Sequence, residues 1–155
     1  MPFAHELLEQ SRHLAHRERN RPRQASLRRA VSTAYYAVFH LLTTAAPANW
    51  KKARHRPALA RPFEHRRMND ACRNIKNRQF QNANHAAIGH LKEIAETFMR
   101  LQQRRHTADY DSSKRWTRTE VLTDINRAAA AFDSWKVISK EAIAEDFLLL
   151  LLIQR

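Results

Sequence analysis

Glycine occurs only once in this 155-residue chain, at Gly89. Tight hairpin turns usually need backbone with a positive φ, and glycine adopts that conformation at the least cost. A sheet-rich fold joined by such turns is therefore nearly excluded. Glycine-rich phosphate-binding loops of the Rossmann and P-loop kinds are excluded for a similar reason, since each needs several glycines at fixed spacing.

Apolar residues recur at helical spacing along almost the whole chain. The clearest run follows the i, i+3, i+4, i+7 rule and consists of Leu27, Ala30, Val31, Ala34, Tyr35, Val38, Phe39 and Leu42. Pro47 predicts that this helix ends soon afterwards. No alternating pattern typical of a strand and no long internal repeat is present. The spacing therefore predicts an all-α fold.

Further helices are predicted on both sides of that run. A short helix precedes it, and others cover about residues 59–77 and 84–106. Thr117 begins the next helix, because Thr-Arg-Thr-Glu fits a capping box. Ser139 is predicted to cap a last helix, whose apolar end, Phe147–Ile153, fits either a buried helix or a dimer face. The inward positions are predicted to be Phe63, Met68, Cys72, Ile75, Ile88, Leu91, Ala95, Phe98, Val121, Ile125, Ala128, Phe132 and Trp135.

The chain length predicts one domain, over residues 1–155. Short loops join neighbouring helices in such proteins, so the expected architecture is an antiparallel bundle of four to five helices.

Positive charge is the strongest compositional signal. The chain has 28 Lys and Arg residues against 15 Asp and Glu residues, which gives a formal net charge of +13 at pH 7. An excess of this size favours a polyanionic partner, either nucleic acid or an acidic protein. The alternative is a surface that is rich in arginine without a functional reason.

The positive charge is concentrated in the middle of the chain. Residues 51–78 hold ten Lys and Arg residues and two acidic residues, whereas residues 120–146 hold six acidic residues against three basic ones. Contact with a phosphate backbone needs only positive charge, and the middle segment supplies it. The residues predicted to bind nucleic acid are Lys51, Lys52, Arg54, Arg56, Arg61, Arg66 and Arg67. The same segment continues through Arg73, Lys76 and Arg78.

The single cysteine, Cys72, excludes a disulfide framework and a cysteine-based zinc site. The histidine pairs at positions 13 and 16 and at positions 85 and 90 have no carboxylate at a convincing ligand spacing. We therefore expect neither a metal nor a cofactor. The chain shows no signal-peptide pattern, and its apolar run at 147–153 is too short to cross a bilayer. The expected location is the cytoplasm, without membrane contact.

The segment 100–110 gathers polar and ionisable residues at the end of an amphipathic helix. His106 shares a helical face with Gln102, Gln103, Asp109 and Tyr110, which places Asp109 to hold the imidazole and Tyr110 to donate to a phosphate. Arg100 lies about 120° around the helix from that face. Convergence of Arg100 and His106 would therefore need the helix to unwind or a second subunit to complete the site. The alternative is a simple helix C-terminus, where basic side chains favour the negative end of the dipole.

Two segments of the chain resemble HEPN domains. Residues 27–42 contain Tyr-Tyr-Ala-Val-Phe-His and are similar to the second helix of those domains, where an arginine-rich start leads into a YYAxFH pattern. Residues 104–110, Arg-Arg-His-Thr-Ala-Asp-Tyr, resemble the R-H-x-A-D-Y ending of a later helix in the same superfamily. The order and the separation of the two segments also fit, although together they cover a minority of the chain.

The resemblance implies an up-down helical bundle, usually a homodimer, and the activity of a metal-independent endoribonuclease. Such proteins include toxins of toxin–antitoxin pairs and effectors of phage defence. Their signature is an arginine, a polar residue and, after a gap of four to six residues, a histidine; Arg100 and His106 have five residues between them. A 2′-hydroxyl would attack the adjacent phosphate, with His106 as general acid or base. Arg100 and Arg105 would stabilise the charge on phosphorus, and Asp109 and Tyr110 would complete the site.

The alternative is a non-catalytic module of the same fold. Other HEPN branches bind nucleotides or partner proteins, often beside a nucleotidyltransferase. A basic surface would suit a nucleic acid, a nucleotide or an acidic antitoxin. Leu101 favours this alternative, because a polar residue is usual at that position in the catalytic signature. A third option is an RNA-binding adaptor that contacts phosphate only, with an affinity that falls steeply with salt.

Overall fold

The computed structural model describes residues 2–48, 65–80 and 84–153. Across those ranges every regular element is an α-helix and no strand occurs, so the all-α prediction is confirmed. The helices are α1 (Pro2–Ala15), α2 (Gln24–Ala48), α3 (His65–Asn77), α4 (His85–Tyr110), α5 (Arg118–Ile138) and α6 (Ala142–Ile153). The described part of the chain thus has six helices instead of the expected four to five, because both the short first helix and the last one pack as separate elements.

The centre of the fold consists of α2 and α4. Helix α2 packs against α1, α4, α5 and α6, and helix α4 packs against α2, α3, α5 and α6. Three of the largest fully buried side chains are Tyr35 of α2, Phe98 of α4 and Phe147 of α6. They belong to one continuous apolar core, whose burial is the main force that holds the helices together.

The predicted inner faces agree with the observed burial. All the predicted inward positions are buried except two: Ile88 is half-buried, and Phe63 lies outside the described residues. The start of α5 is also as predicted, because the Thr117 hydroxyl accepts a hydrogen bond from the backbone N–H of Glu120 at 3.2 Å. This bond pairs one of the N–H groups that have no partner within the helix.

One predicted helix boundary was confirmed and two were wrong. Helix α2 ends at Ala48, directly after Pro47, as predicted; Pro47 lies in its last turn, where it removes only its own N–H from the ladder. Helix α4 continues to Tyr110 and does not end near His106 as predicted. Its last turns pack against the rest of the fold through the buried Ala108. Ser139 does not cap α6; its backbone is helical and ends α5. The first turn of α6 is closed instead by the Glu141 carbonyl, which accepts from two backbone N–H groups.

The apolar run at the end of the chain forms a core helix on one side only. Phe147, Leu148 and Leu151 are buried, whereas Leu149 is 51% exposed and Ile153 is 69% exposed. Over the ranges described, no helix has the length and apolar character needed to cross a membrane.

Candidate functional site

An open groove of about 650 Å³ lies between α3 and α4, and we call it the α3–α4 groove. Four positively charged side chains face one carboxylate along its walls, so the groove attracts anions. Its lining residues are Asn69, Arg73 and Lys76 of α3 and Glu96, Met99, Arg100, Gln102, Gln103, Arg105 and His106 of α4.

Arg100 and His106 line this same groove although they are about 120° apart around their helix. Helix α4 is unbroken from His85 to Tyr110, so the unwinding that sequence analysis called for does not occur. The two side chains share one space because α3 packs beside α4 and supplies the opposite wall of a wide groove. Both side chains are exposed and open to a ligand from solvent.

Arg105 is held in the groove by two aromatic rings and a carboxylate. Its guanidinium carbon lies 5.3 Å from the ring centre of Tyr35 and 5.8 Å from that of Tyr36. One of its terminal nitrogens lies 3.6 Å from Oδ2 of Asp109. The side chain is only 14% exposed, and cation–π contacts of this kind strengthen where water is excluded. Arg105 is therefore a pre-positioned cation at the edge of the groove.

The structure gives Asp109 a different partner from the predicted one. Helical spacing predicted contact between this carboxylate and the His106 imidazole, but its ion-pair partner is Arg105, four residues earlier on the same face of the helix. Tyr110 is 69% exposed, and its ring centre lies 4.9 Å from that of His106. Neither Asp109 nor Tyr110 lines the groove.

Tyr35 supports Arg105 from inside the core. Its hydroxyl shares a hydrogen bond with Nδ1 of His65 at the start of α3, and the His65 ring stacks on Phe39 with 4.4 Å between ring centres. Burial raises the pKa of Tyr35, so the phenol keeps its proton and donates to the imidazole. Burial lowers the pKa of His65, and the positive charge of Arg105 and the neighbouring His40 lower it further. The neutral imidazole is therefore the favoured acceptor.

Sequence reasoning missed the contact that joins the two walls of the groove. A side-chain hydrogen bond from Asn69 of α3 to Gln102 of α4 links the helices. Gln102 and Gln103 were predicted to share the face of His106, whereas Asn69, His65 and Met99 were unassigned, because no local pattern relates the register of α3 to that of α4. The polar run at 102–103 was the one signal in the sequence that pointed toward this surface.

The predicted nucleic-acid-binding segment is described only in part. Lys51, Lys52, Arg54, Arg56 and Arg61 lie outside the described residues. Arg66 and Arg67 are exposed near the start of α3. Arg73 and Lys76, from the same basic segment, line the α3–α4 groove.

Arg104 points away from the groove and toward α5. Its Nε donates to Oδ2 of Asp124 at 2.8 Å, and its guanidinium carbon lies 4.6 Å from the ring centre of Trp116. Asp124 is almost completely buried. Burial raises the pKa of this carboxyl more than the hydrogen bond and charge of Arg104 lower it. This pair ties α4 to α5 and fixes the rotation of α4, which sets the direction of the groove residues.

Two further observations bear on the chemistry of the site. In the part of the chain that the structure describes, no three His, Cys, Asp or Glu side chains come together as metal ligands would. Burial raises the pKa of the Cys72 thiol, which keeps it protonated and unreactive as a nucleophile.

Comparisons with protein-family models, with curated proteins and with solved structures give no match for this chain. The charge and geometry of the α3–α4 groove are therefore the basis for assigning a function.

Proposed function

We propose that this protein is a metal-independent endoribonuclease with a HEPN-like bundle fold and that the α3–α4 groove is its active site. The observation that carries the proposal is that Arg100, Arg105 and His106 line one positively charged groove of a single chain. Two of these three residues form the arginine and histidine of the HEPN-like signature, and the third is held in place by Tyr35 and Tyr36.

The groove contains the groups that cleavage of an RNA backbone requires. Arg73 and Lys76 attract the phosphates, and Arg100 and Arg105 stabilise the negative charge that grows on phosphorus during the reaction. Imidazole exchanges protons near neutral pH. His106 takes the proton from the 2′-hydroxyl or gives one to the departing 5′-oxygen. The products are a 2′,3′-cyclic phosphate and a 5′-hydroxyl end.

The proposal extends to the assembly and to its partners. A homodimer would place two grooves in one particle, and the exposed Leu149 and Ile153 of α6 offer apolar surface for an interface. In a toxin–antitoxin or phage-defence system in the cytoplasm, an acidic antitoxin or a nucleotidyltransferase would neutralise the toxin. The net charge of +13 supports an acidic partner.

A second candidate function is that of a non-catalytic module that binds RNA, a nucleotide or an acidic protein. The observation that favours it concerns Leu101, which follows Arg100 and is completely buried. This position therefore contributes no polar group to the groove, whereas a polar residue is usual there in the catalytic signature. The positive charge of the groove serves either function.

The experiment that tests the proposal is RNA cleavage by the purified protein in EDTA. The wild type should release products with 2′,3′-cyclic phosphate ends, and His106→Ala should lose at least about 100-fold in rate, as expected for loss of a general acid or base. Arg100→Ala should also lose activity. The matched control is His85→Ala, which removes another exposed histidine from the same helix and should cleave like the wild type.

Each other outcome has a distinct meaning. Absence of cleavage, with RNA binding that weakens by a log–log slope near −0.7 per phosphate as salt rises, would support the non-catalytic module. Equal cleavage by the wild type and His106→Ala would place the activity elsewhere. Activity that EDTA abolishes and a divalent metal restores would contradict the metal-independent mechanism.

A further inference from the structure

A second open groove, of about 530 Å³, runs along the solvent side of α3, and we call it the outer α3 groove. It is lined by four exposed residues of α3 and by the exposed residue that follows the helix: Asp70, Arg73, Asn74, Asn77 and Arg78. Arg73 also lines the α3–α4 groove. A ligand chain that crosses α3 at Arg73 would therefore contact both grooves.

The two grooves differ in their chemistry. The α3–α4 groove holds four positive charges against one negative charge, which suits a phosphate. The outer α3 groove has two arginines, two amides and the carboxylate of Asp70. The outer groove thus has a smaller excess of positive charge and attracts phosphate less strongly, whereas amides and carboxylates form hydrogen bonds with the edges of bases. The outer groove is therefore suited to a base.

Hydrogen bonds hold the polar groups of the outer groove in place. Arg73 lies between Oδ1 of Asn69 at 3.3 Å and Oδ1 of Asp70 at 3.5 Å. Arg78 donates to Oδ1 of Asn74 at 2.8 Å, which leaves the amide NH₂ of Asn74 as a donor. The Asn77 amide has no hydrogen-bond partner among the residues that the structure describes. The Asn74 and Asn77 amides thus keep unused donors beside two arginines that contact neighbouring side chains of α3.

We infer that the outer α3 groove binds the base of a nucleotide adjacent to the phosphate held in the α3–α4 groove. The ligand is single-stranded RNA, because the base edge must be free of a pairing partner. Asp70 accepts a hydrogen bond from the exocyclic amino group of adenine or cytosine, and the amide NH₂ of Asn77 donates to the adjacent ring nitrogen. Uracil presents the opposite order, with a carbonyl acceptor beside its N3–H donor. The groove therefore discriminates against uracil. This inference rests on the proposed function for the identity of the ligand as RNA.

The test measures binding separately from cleavage. Fluorescence anisotropy with 2′-O-methyl oligoadenosine and oligouridine gives the Kd of the wild-type protein, since a methylated 2′-oxygen cannot attack the phosphate. Oligoadenosine should bind about tenfold more tightly than oligouridine, the effect of one charge-assisted hydrogen bond. Asp70→Ala, which removes the acceptor, should reduce that ratio to near one, and Asn77→Ala should weaken binding of oligoadenosine. The controls are Asp133→Ala and Asn126→Ala, exposed residues of α5 that should leave both Kd values unchanged.

The outcomes separate this inference from the proposed function. Variants of Asp70 and Asn77 that bind both oligonucleotides like the wild type would overturn the inference, even where the wild type cleaves RNA. Base discrimination that depends on Asp70, in a protein that does not cleave unmodified RNA, would support the inference and overturn the ribonuclease. A protein that binds neither oligonucleotide would overturn both.

Discussion

Replacement of Leu101 by alanine tests whether this position belongs to the core or to the groove. Leu101 lies between two groove residues, Arg100 and Gln102, but its own side chain is completely buried. Truncation of a fully buried leucine usually costs about 3 to 5 kcal/mol, since it removes apolar contacts and leaves a cavity. Leu149→Ala is the matched control, because that leucine is 51% exposed and should cost about 1 kcal/mol.

Urea unfolding followed by circular dichroism measures the difference between the two variants. With a slope of about 2 kcal/mol per molar urea, Leu101→Ala should lower the unfolding midpoint by about 1.5 M or more, and Leu149→Ala should lower it by about 0.5 M. RNA cleavage by folded Leu101→Ala should stay within a few-fold of the wild type, because alanine keeps the helix that carries Arg100 and His106.

Equal midpoints for the two variants would refute the assignment of Leu101 to the core. A Leu101→Ala protein that unfolds like the wild type but no longer cleaves RNA would show that the leucine acts in the site itself. Either result would contradict the conclusion that the Leu101 side chain belongs to the core and contributes nothing to the groove.

Two further predictions concern stability. Thr117→Ala should lower the free energy of unfolding by about 1 kcal/mol in a thermal or urea melt, because the N–H of Glu120 loses its capping acceptor; no change would contradict the capping role. For Asp124, burial raises the pKa of the folded state above that of the unfolded chain, so its stabilising contribution is present at low pH and is lost as pH rises through the folded pKa. Asp124→Asn cannot titrate, and its stability relative to the wild type should therefore rise as pH increases above about 4, the ordinary value for an aspartate; a fall would contradict the direction of the pKa shift.

The helices and their inner faces were predictable from local pattern. The apolar stripe on α2 and the inner face of α5 depend on residues within a few positions of one another, and both were observed, with Phe39 half-buried. Of the capping box, the bond to the Thr117 hydroxyl was observed, whereas the Glu120 carboxylate pairs with Lys114. The end of α2 next to Pro47 was also predictable, whereas the boundary near Ser139 was not. Serine is compatible both with the start of a helix and with the end of one.

The site was predicted only in part. Arg100, Arg105 and His106 were singled out, and all three line one groove. The partner of Asp109 was assigned wrongly, because helical spacing allows it to contact either Arg105 or His106 and does not decide between them. His65 was missed, since its contact with Tyr35 joins residues far apart in the chain.

The sequence alone determined that the chain is helical, which face of each main helix is apolar, and that positive charge gathers in its middle. These properties follow from spacing and composition, which act over short distances along the chain. Only the tertiary structure decided that Arg100 and His106 share a groove and that Tyr35 and Tyr36 hold Arg105. The physical reason is that a groove is bounded by two helices. The packing of α3 and α2 against α4 determines which side chains meet there. The spacing of residues within α4 does not predict that packing.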